Sequence, residues 1–274
     1  MKVPGPIGVF DSGYGGLTVL KEFVKRLPTY DYLYLGDNAR APYGTRSFDT
    51  VYNYTLECVR HLFDRGCALV ILACNTASAK ALRSIQQNDL PKMDATKRVL
   101  GVIRPTTEIV GRYTKSGHIG ILGTMGTVNS GSYPIEIKKF SPGVSVAQHA
   151  CPMWVPLVEN NEWNQPGADY FVEKDIHKLL ATDPLIDTIV LGCTHYPLLM
   201  EKIRQYVPRD TQILSQGPIV AASLEDYLQR HKEIAVYCSE NGTRQFLTTD
   251  DPVTFDRHAA IFFEDGVQSE HLAL

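Results

Sequence analysis

Two segments of the chain end alike on a cysteine. Val70-Ile71-Leu72-Ala73-Cys74-Asn75-Thr76 and Ile189-Val190-Leu191-Gly192-Cys193-Thr194-His195 each carry three branched aliphatics, a small residue, the cysteine and two polar residues. Two thiols presented alike from two similar segments suggest a paired role, with one on each side of something small. Short apolar runs of this kind read as parallel strands covered on both faces. Helix-like sequence follows each, over 77–87 after the first and from Pro197 to Tyr206 after the second, where proline suits a first helical turn. Both cysteines are therefore expected at strand-to-helix handovers on the carboxyl edge of a sheet, where open α/β sheets bind ligands. Helix N-termini favour the thiolate, so both thiols are expected below the ordinary value of about 8.5.

Other residues compete for attention. Gly13-Tyr14-Gly15-Gly16 follows a strand-like 7–10 and opens a helix expected over 17–26, and Asp37 ends the next strand, 32–35. That is the setting of a dinucleotide fingerprint. However, Thr18 stands where its third glycine belongs, and Asp11 puts a negative charge where a pyrophosphate has to approach. An acid beside exposed backbone donors suits a zwitterion better, with the ammonium on Asp11 and the carboxylate on N–H groups. The plainer alternative is a glycine turn with a capping Asp. His195, two residues past Cys193, is placed to polarise that thiol or to meet a substrate carboxylate. Glu159 closes the apolar stretch 151–158 and taken alone reads as a surface helix residue. Cys58 shares helical spacing with Val51, Tyr54 and Leu62, so it reads as core, as do Cys67 and Cys238 in strand-like runs. Cys151, before Pro152, has no evident partner. No Cys-x-x-Cys or His-x-x-x-His spacing occurs, so no metal site is read and a thioredoxin-type pair is excluded.

The elements that must position these residues alternate strand and helix, which implies parallel sheets with both faces covered. One series runs from 7–10 through 32–35, a helix over 49–65 and the first cysteine strand. A second opens at 99–103 and passes through a helix near 106–113 and the strand 118–122. A helix near 167–181 then leads to the second cysteine strand. Ile119-Gly120-Ile121-Leu122 echoes Ile7-Gly8-Val9-Phe10, so the internal likeness extends beyond the cysteines. The expected fold class is α/β, with two similar lobes and the site in the cleft between them. Lobe A takes 1–98 plus 212–274 and lobe B 99–211. The tail, with 212–214, a helix over 218–230 and a strand-like 234–238, is expected to return to lobe A.

The 274 residues are 44% hydrophobic and 21% charged, the composition of a globular protein with a substantial core. A net charge of −3 without a basic run argues against nucleic acid as a partner. No apolar stretch approaches the roughly 18 residues of a membrane helix. The N-terminal residues reach a strand with no room for a signal core, so the six cysteines are expected to be reduced thiols in the cytoplasm.

Taken together, these segments resemble the glutamate racemases, within the cofactor-independent aspartate/glutamate racemase family. The specific strings are Asp11-Ser12-Gly13-Tyr14-Gly15-Gly16 and Gly192-Cys193-Thr194-His195-Tyr196-Pro197. Gly36-Asp37, Pro42-Tyr43-Gly44, Ala73-Cys74-Asn75-Thr76, the stretch from Cys151 to Glu159 and Thr248-Thr249-Asp250-Asp251-Pro252 extend the likeness over nearly the whole chain. Ser78, where the family often has Thr, and Leu214-Ser215-Gln216-Gly217, where Asp-Ser-Gly is usual, depart from it without touching the implied chemistry.

The resemblance implies interconversion of L- and D-glutamate, feeding peptidoglycan precursors, with no cofactor and no metal. One cysteine removes the α-proton as thiolate and the other delivers a proton to the opposite face. By analogy Cys74 acts on D-glutamate and Cys193 on L-glutamate. Asp11 beside Cys74, and Glu159 with His195 beside Cys193, tune the transfers. Asp11, Ser12, Tyr43 and Gly44, with Asn75, Thr76, Thr124, Thr194 and His195, hold the substrate's charged groups. A homodimer is expected on the same analogy. Three rivals stay open: a racemase for another small amino acid such as aspartate, a hydrolase with one cysteine nucleophile and a His base, and a two-lobed ligand-binding protein. The last two leave the second matched cysteine without a task.

Overall fold

The computed structural model describes residues 3–263 and 266–274. Among the described residues ten strands form two sheets, and every strand pair in both is parallel. The strands are β1 (Ile7–Asp11), β2 (Tyr32–Gly36), β3 (Leu69–Leu72), β4 (Arg98–Gly101), β5 (His118–Gly123), β6 (Ser145–Ala150), β7 (Thr188–Gly192), β8 (Gln212–Leu214), β9 (Arg244–Thr248) and β10 (Ser269–His271). The first sheet has the order β10-β9-β2-β1-β3-β4 and the second β6-β5-β7-β8. The inner strands β1, β2, β3 and β7 are buried along their whole length, which is why they read as unbroken apolar runs rather than alternating ones.

The two sheets share one plan. β2-β1-β3-β4 matches β6-β5-β7-β8 strand for strand, so the cysteine segments after β3 and β7 occupy equivalent places. In each, the order reverses at the central strand: between β1 and β3 in the first sheet and between β5 and β7 in the second. Adjacent helices leave opposite faces at such a point, and the crevice opens at the carboxyl ends of the strands. Asp11 ends β1 and Cys74 follows β3, while Thr124 follows β5 and Cys193 follows β7. One apolar core, including Val9, Leu20, Leu122, Leu191 and Leu224, joins residues of both halves.

This plan moves two expected boundaries. The strand at 98–101 pairs with β3 and closes the first unit instead of opening the second. The strand at 212–214 pairs with β7 and closes the second unit, so the return to the first sheet is made later, by β9 and β10. The run 234–238 is not a strand: a short helix spans Lys232–Ala235, and only Cys238 bridges to Gly5. Ile234 and Cys238 are buried while Val236 is 63% exposed, so the apolar positions fall four apart, as on a helix. The helix expected over 77–87 breaks after Lys80 and passes through a wide π turn at Ile85–Asp89. Pro91, without an N–H, cannot complete the regular ladder there. No described helix is long and apolar enough to cross a membrane.

Candidate active site

Cys74 caps the N-terminus of the helix Asn75–Lys80, its Sγ accepting the N–H of Ala77 at 3.4 Å. Ser12 Oγ lies 3.4 Å from the same sulfur. These donors favour a thiolate, yet burial works the other way and is the larger effect. With the carboxyl of Asp11 adding to it, the Cys74 thiol is pushed up to about 12. The expected lowering at a helix terminus is therefore reversed for Cys74: a helix of six residues offers too little against full desolvation. Cys193 adds a further upward push on Cys74, so the charges of the two sulfurs are felt by one another.

Asp11 is 1% exposed. Its Oδ1 accepts the N–H of Gly13 at 2.9 Å, and its Oδ2 has no hydrogen-bond partner. Burial raises its carboxyl, with the charge of His195 and the N–H groups of Gly13 and Gly16 opposing. A buried carboxylate with one oxygen unengaged is a receptor in want of a donor, and an ammonium would supply one. The glycine turn has a different task from cradling phosphate. A Cβ on Gly16 would run into Asp11, and one on Gly15 would run into Thr194 and His195. Thr18 Oγ1 donates to the Thr194 carbonyl at 3.0 Å across the same seam. The turn is thus packed under the second cysteine loop, which leaves no place there for a pyrophosphate.

Around Cys193 the expected residues form a relay. Its Sγ is 3.8 Å from His195 Nδ1, and His195 Nε2 is 2.9 Å from Glu159 Oε1. Burial lowers the His195 pKa, but contacts to Cys193 and Glu159 outweigh it and the imidazole is raised to about 10. A positive charge thus stands beside the Cys193 sulfur through the neutral range. The ring also meets the edge of Phe262, 5.4 Å between centroids at 81°. Phe262 comes from the C-terminal segment, and sequence reasoning missed it because nothing local distinguishes it from a core residue.

The remaining expected residues divide. Thr76 Oγ1 and Thr124 Oγ1 lie 2.9 Å apart, and the Gly126 N–H donates to the Gly44 carbonyl at 2.8 Å, so both pairs join the two halves beside the cysteines. Tyr43 is buried and its hydroxyl donates to Asp37, which also takes Arg40 and Thr249. Its polar atom is thus committed to the scaffold. Both polar atoms of the Asn75 side chain are engaged as well. Nδ2 donates to Gln216 Oε1 at 2.7 Å, and Oδ1 accepts from the Tyr133 hydroxyl at 2.8 Å.

Gln216 therefore corrects the expectation that 214–217 lies clear of the site. Its Nε2 reaches the Val102 carbonyl, Thr106 Oγ1 and the Tyr133 hydroxyl at 3.1, 3.1 and 2.8 Å, so one buried amide ties Asn75 to both halves. Gln216→Ala should cost about 1–3 kcal/mol for each buried partner left unpaired, read as a lower urea midpoint with unchanged slope. A midpoint equal to the parent's would show that the network carries no stability.

A family model for Asp/Glu/hydantoin racemases matches residues 7–224. A glutamate racemase of Geobacter metallireducens is 40% identical over 92% of this chain and 90% of its own length. In structure, glutamate racemase RacE1 of Bacillus anthracis superposes with a TM-score of 0.89 at 34% identity, covering 98% of both chains. Glutamate racemase of Francisella tularensis, solved with D-glutamate, superposes with a TM-score of 0.87 at 29% identity, again over 98% of both. By fold, by its paired cysteine loops and by sequence along its length, the chain belongs to the Asp/Glu/hydantoin racemase family.

Proposed function

We propose that this isomerase interconverts L- and D-glutamate with two opposed cysteines and no cofactor, supplying D-glutamate for peptidoglycan. The observation that carries the reading is the equivalent placement of Cys74 and Cys193, each past the strand at its sheet's switch point. Glutamate as the substrate is supported by the relatives' identity over nearly full length and by the D-glutamate held in the Francisella protein.

In the L-to-D direction the Cys193 thiolate takes the α-proton. The electron pair of the broken C–H bond passes into the α-carboxylate, and the Cys74 thiol gives its proton to the other face of Cα. The cycle leaves Cys74 as thiolate and Cys193 as thiol, the state that runs the reverse reaction. Burial and Asp11 hold Cys74 protonated, ready to act as the acid in this direction, and cationic His195 stands beside Cys193. The substrate ammonium, against Asp11, offsets the carboxyl that holds the Cys74 thiol up and eases the Cys74 thiolate. Ser12, Thr76, Thr124 and Thr194, with the backbone of Tyr43, Gly44 and Asn75, hold the carboxylates. Chiral chromatography after incubation with L-glutamate tests the activity. D-glutamate should appear until the two are equal, and should still appear after dialysis against a chelator and treatment with hydroxylamine. No D-glutamate from the untreated protein would refute the reading, and activity restored only by metal or pyridoxal phosphate would refute the mechanism.

The pH profile follows from the same groups. A racemisation has an equilibrium constant of one, so kcat/KM is equal in the two directions at every pH and a single bell describes both. Its alkaline limb is lost when Cys74 can no longer serve as acid or His195 as cation. Both are raised above their ordinary values, so the protonated forms persist below those values and disappear as pH rises through about 10 for His195 and about 12 for Cys74. On the alkaline side, initial rates by circular dichroism should hold up to about pH 9 and fall above it. A decline complete by pH 8.5 would contradict the assignment.

A further inference from the structure

His149 near the end of β6, Cys151 just beyond it and Asp175 on the helix Pro166–Thr182 converge behind the Cys193 loop, near enough for Cys151 to feel the Cys193 charge, and the proposed reaction makes no use of them. One ligand atom from each lies within 4.8 Å of the others. Cys151 and Asp175 are 1% and 2% exposed, while the His149 side chain keeps 22% of its surface open. Asp175 Oδ1 meets His149 Nε2 at 3.2 Å and Lys174 Nζ at 3.9 Å, but its buried Oδ2 has no hydrogen-bond partner. Leaving a carboxylate oxygen buried and unpaired is costly unless something occasionally fills the place.

We propose that His149, Cys151 and Asp175 form a zinc site with three protein ligands and a fourth position open to water on the His149 side. Thiolate, imidazole and carboxylate are the donors zinc takes, at about 2.0–2.3 Å, which needs the three atoms drawn together to roughly 3.5 Å. The charges balance. The Cys151 thiol gives its proton to solvent, the imidazole binds neutral, and one thiolate plus one carboxylate cancel the ion's two charges in a buried place. Lys174, which also lies over the rings of Tyr170 and Phe171, keeps those contacts when it yields Asp175. The Cys151 carbonyl accepts from the Tyr196 hydroxyl at 3.1 Å and its N–H donates to Gly123 at 2.9 Å, so the ion would pin the edge strand to the loop after Cys193. Motif spacing hides such a site: His-x-Cys lies at a strand end and the third ligand is on a distant helix.

Cobalt(II) titration of the reduced, metal-stripped full chain tests this, with zinc affinity measured by competition against a chromophoric chelator. One cobalt per chain should bind with a thiolate-to-cobalt charge-transfer band and four-coordinate d–d absorption, and zinc should displace it and raise Tm. The same spectrum should persist in the Cys74→Ser/Cys193→Ser double variant. Affinity should fall at least tenfold in Cys151→Ser, and also in Asp175→Asn and His149→Gln, which keep the thiol should the first variant fold poorly. Absence of the band in the parent overturns the proposal. A band that survives Cys151→Ser and vanishes in the double variant does so too, since the ion then sits at the catalytic cysteines.

Discussion

Alanine at Cys74 or at Cys193 should each cut racemisation by on the order of 10³-fold or more, since each removes a proton-transfer group with no substitute on its face of Cα. The loss should be equal in both directions, because the equilibrium constant of one ties the two values of kcat/KM together. Burial sharpens the expectation. Cys74 and Cys193 are each 6% exposed, so water cannot freely stand in for the missing thiol. Cys58→Ala and Cys67→Ala are the controls. Both side chains are fully buried, Cys67 in the apolar core and Cys58 with its sulfur also 3.4 Å from Arg40 Nη2, and their loss should appear as lower stability with catalysis near the parent's. Chiral chromatography of initial rates decides the matter. Retention of a tenth or more of the parent rate in either Cys74→Ala or Cys193→Ala would remove that residue from the chemistry.

How much of this was legible before the structure depended on how local each cause is. The cysteine strands announced themselves because a strand buried on both faces has nowhere to put a polar residue until its carboxyl end, where Cys74 and Cys193 sit. The helix at 17–26 was fixed by its own periodicity and agrees with Leu17–Arg26 to the residue. The domain edges were not local. Val99 and Ile213 lie in short apolar runs that could join either sheet, and only the repeated strand order assigns them. The strands β6, β9 and β10 went unread: β6 and β10 are edge strands, which carry the polar residues that blur a strand signal, and the inner β9 opens on Arg244 and Gln245 before its apolar residues.

The site shows the same division. Asp11, Cys74, Cys193 and His195 were readable as types in context, whereas Glu159, a surface helix residue when taken alone, was marked only by the family resemblance; the structure brings His195 onto both Cys193 and Glu159. The state of the Cys74 thiol was not readable. A helix terminus is visible in sequence, whereas the depth of burial that overrides it is a property of the whole fold. Gln216 was hidden for a related reason: its partners at Asn75, Val102 and Tyr133 are more than eighty residues away.

The central claim is that the two sulfurs face opposite sides of one carbon, and a reaction that needs only one of them tests it most directly. A glutamate bearing chloride on its β-carbon provides such a reaction. Loss of the α-proton to a thiolate leaves a carbanion that expels chloride, and the resulting enamine hydrolyses to 2-oxoglutarate and ammonium. Each cysteine can carry this out on its own face without a proton donor opposite. Formation of 2-oxoglutarate from the separate enantiomers, followed with a coupled dehydrogenase, should show Cys193→Ala processing the D form alone through Cys74. Cys74→Ala should process the L form alone through Cys193. If both variants consumed the same enantiomer, or either consumed both at comparable rates, the opposed-cysteine assignment would be contradicted.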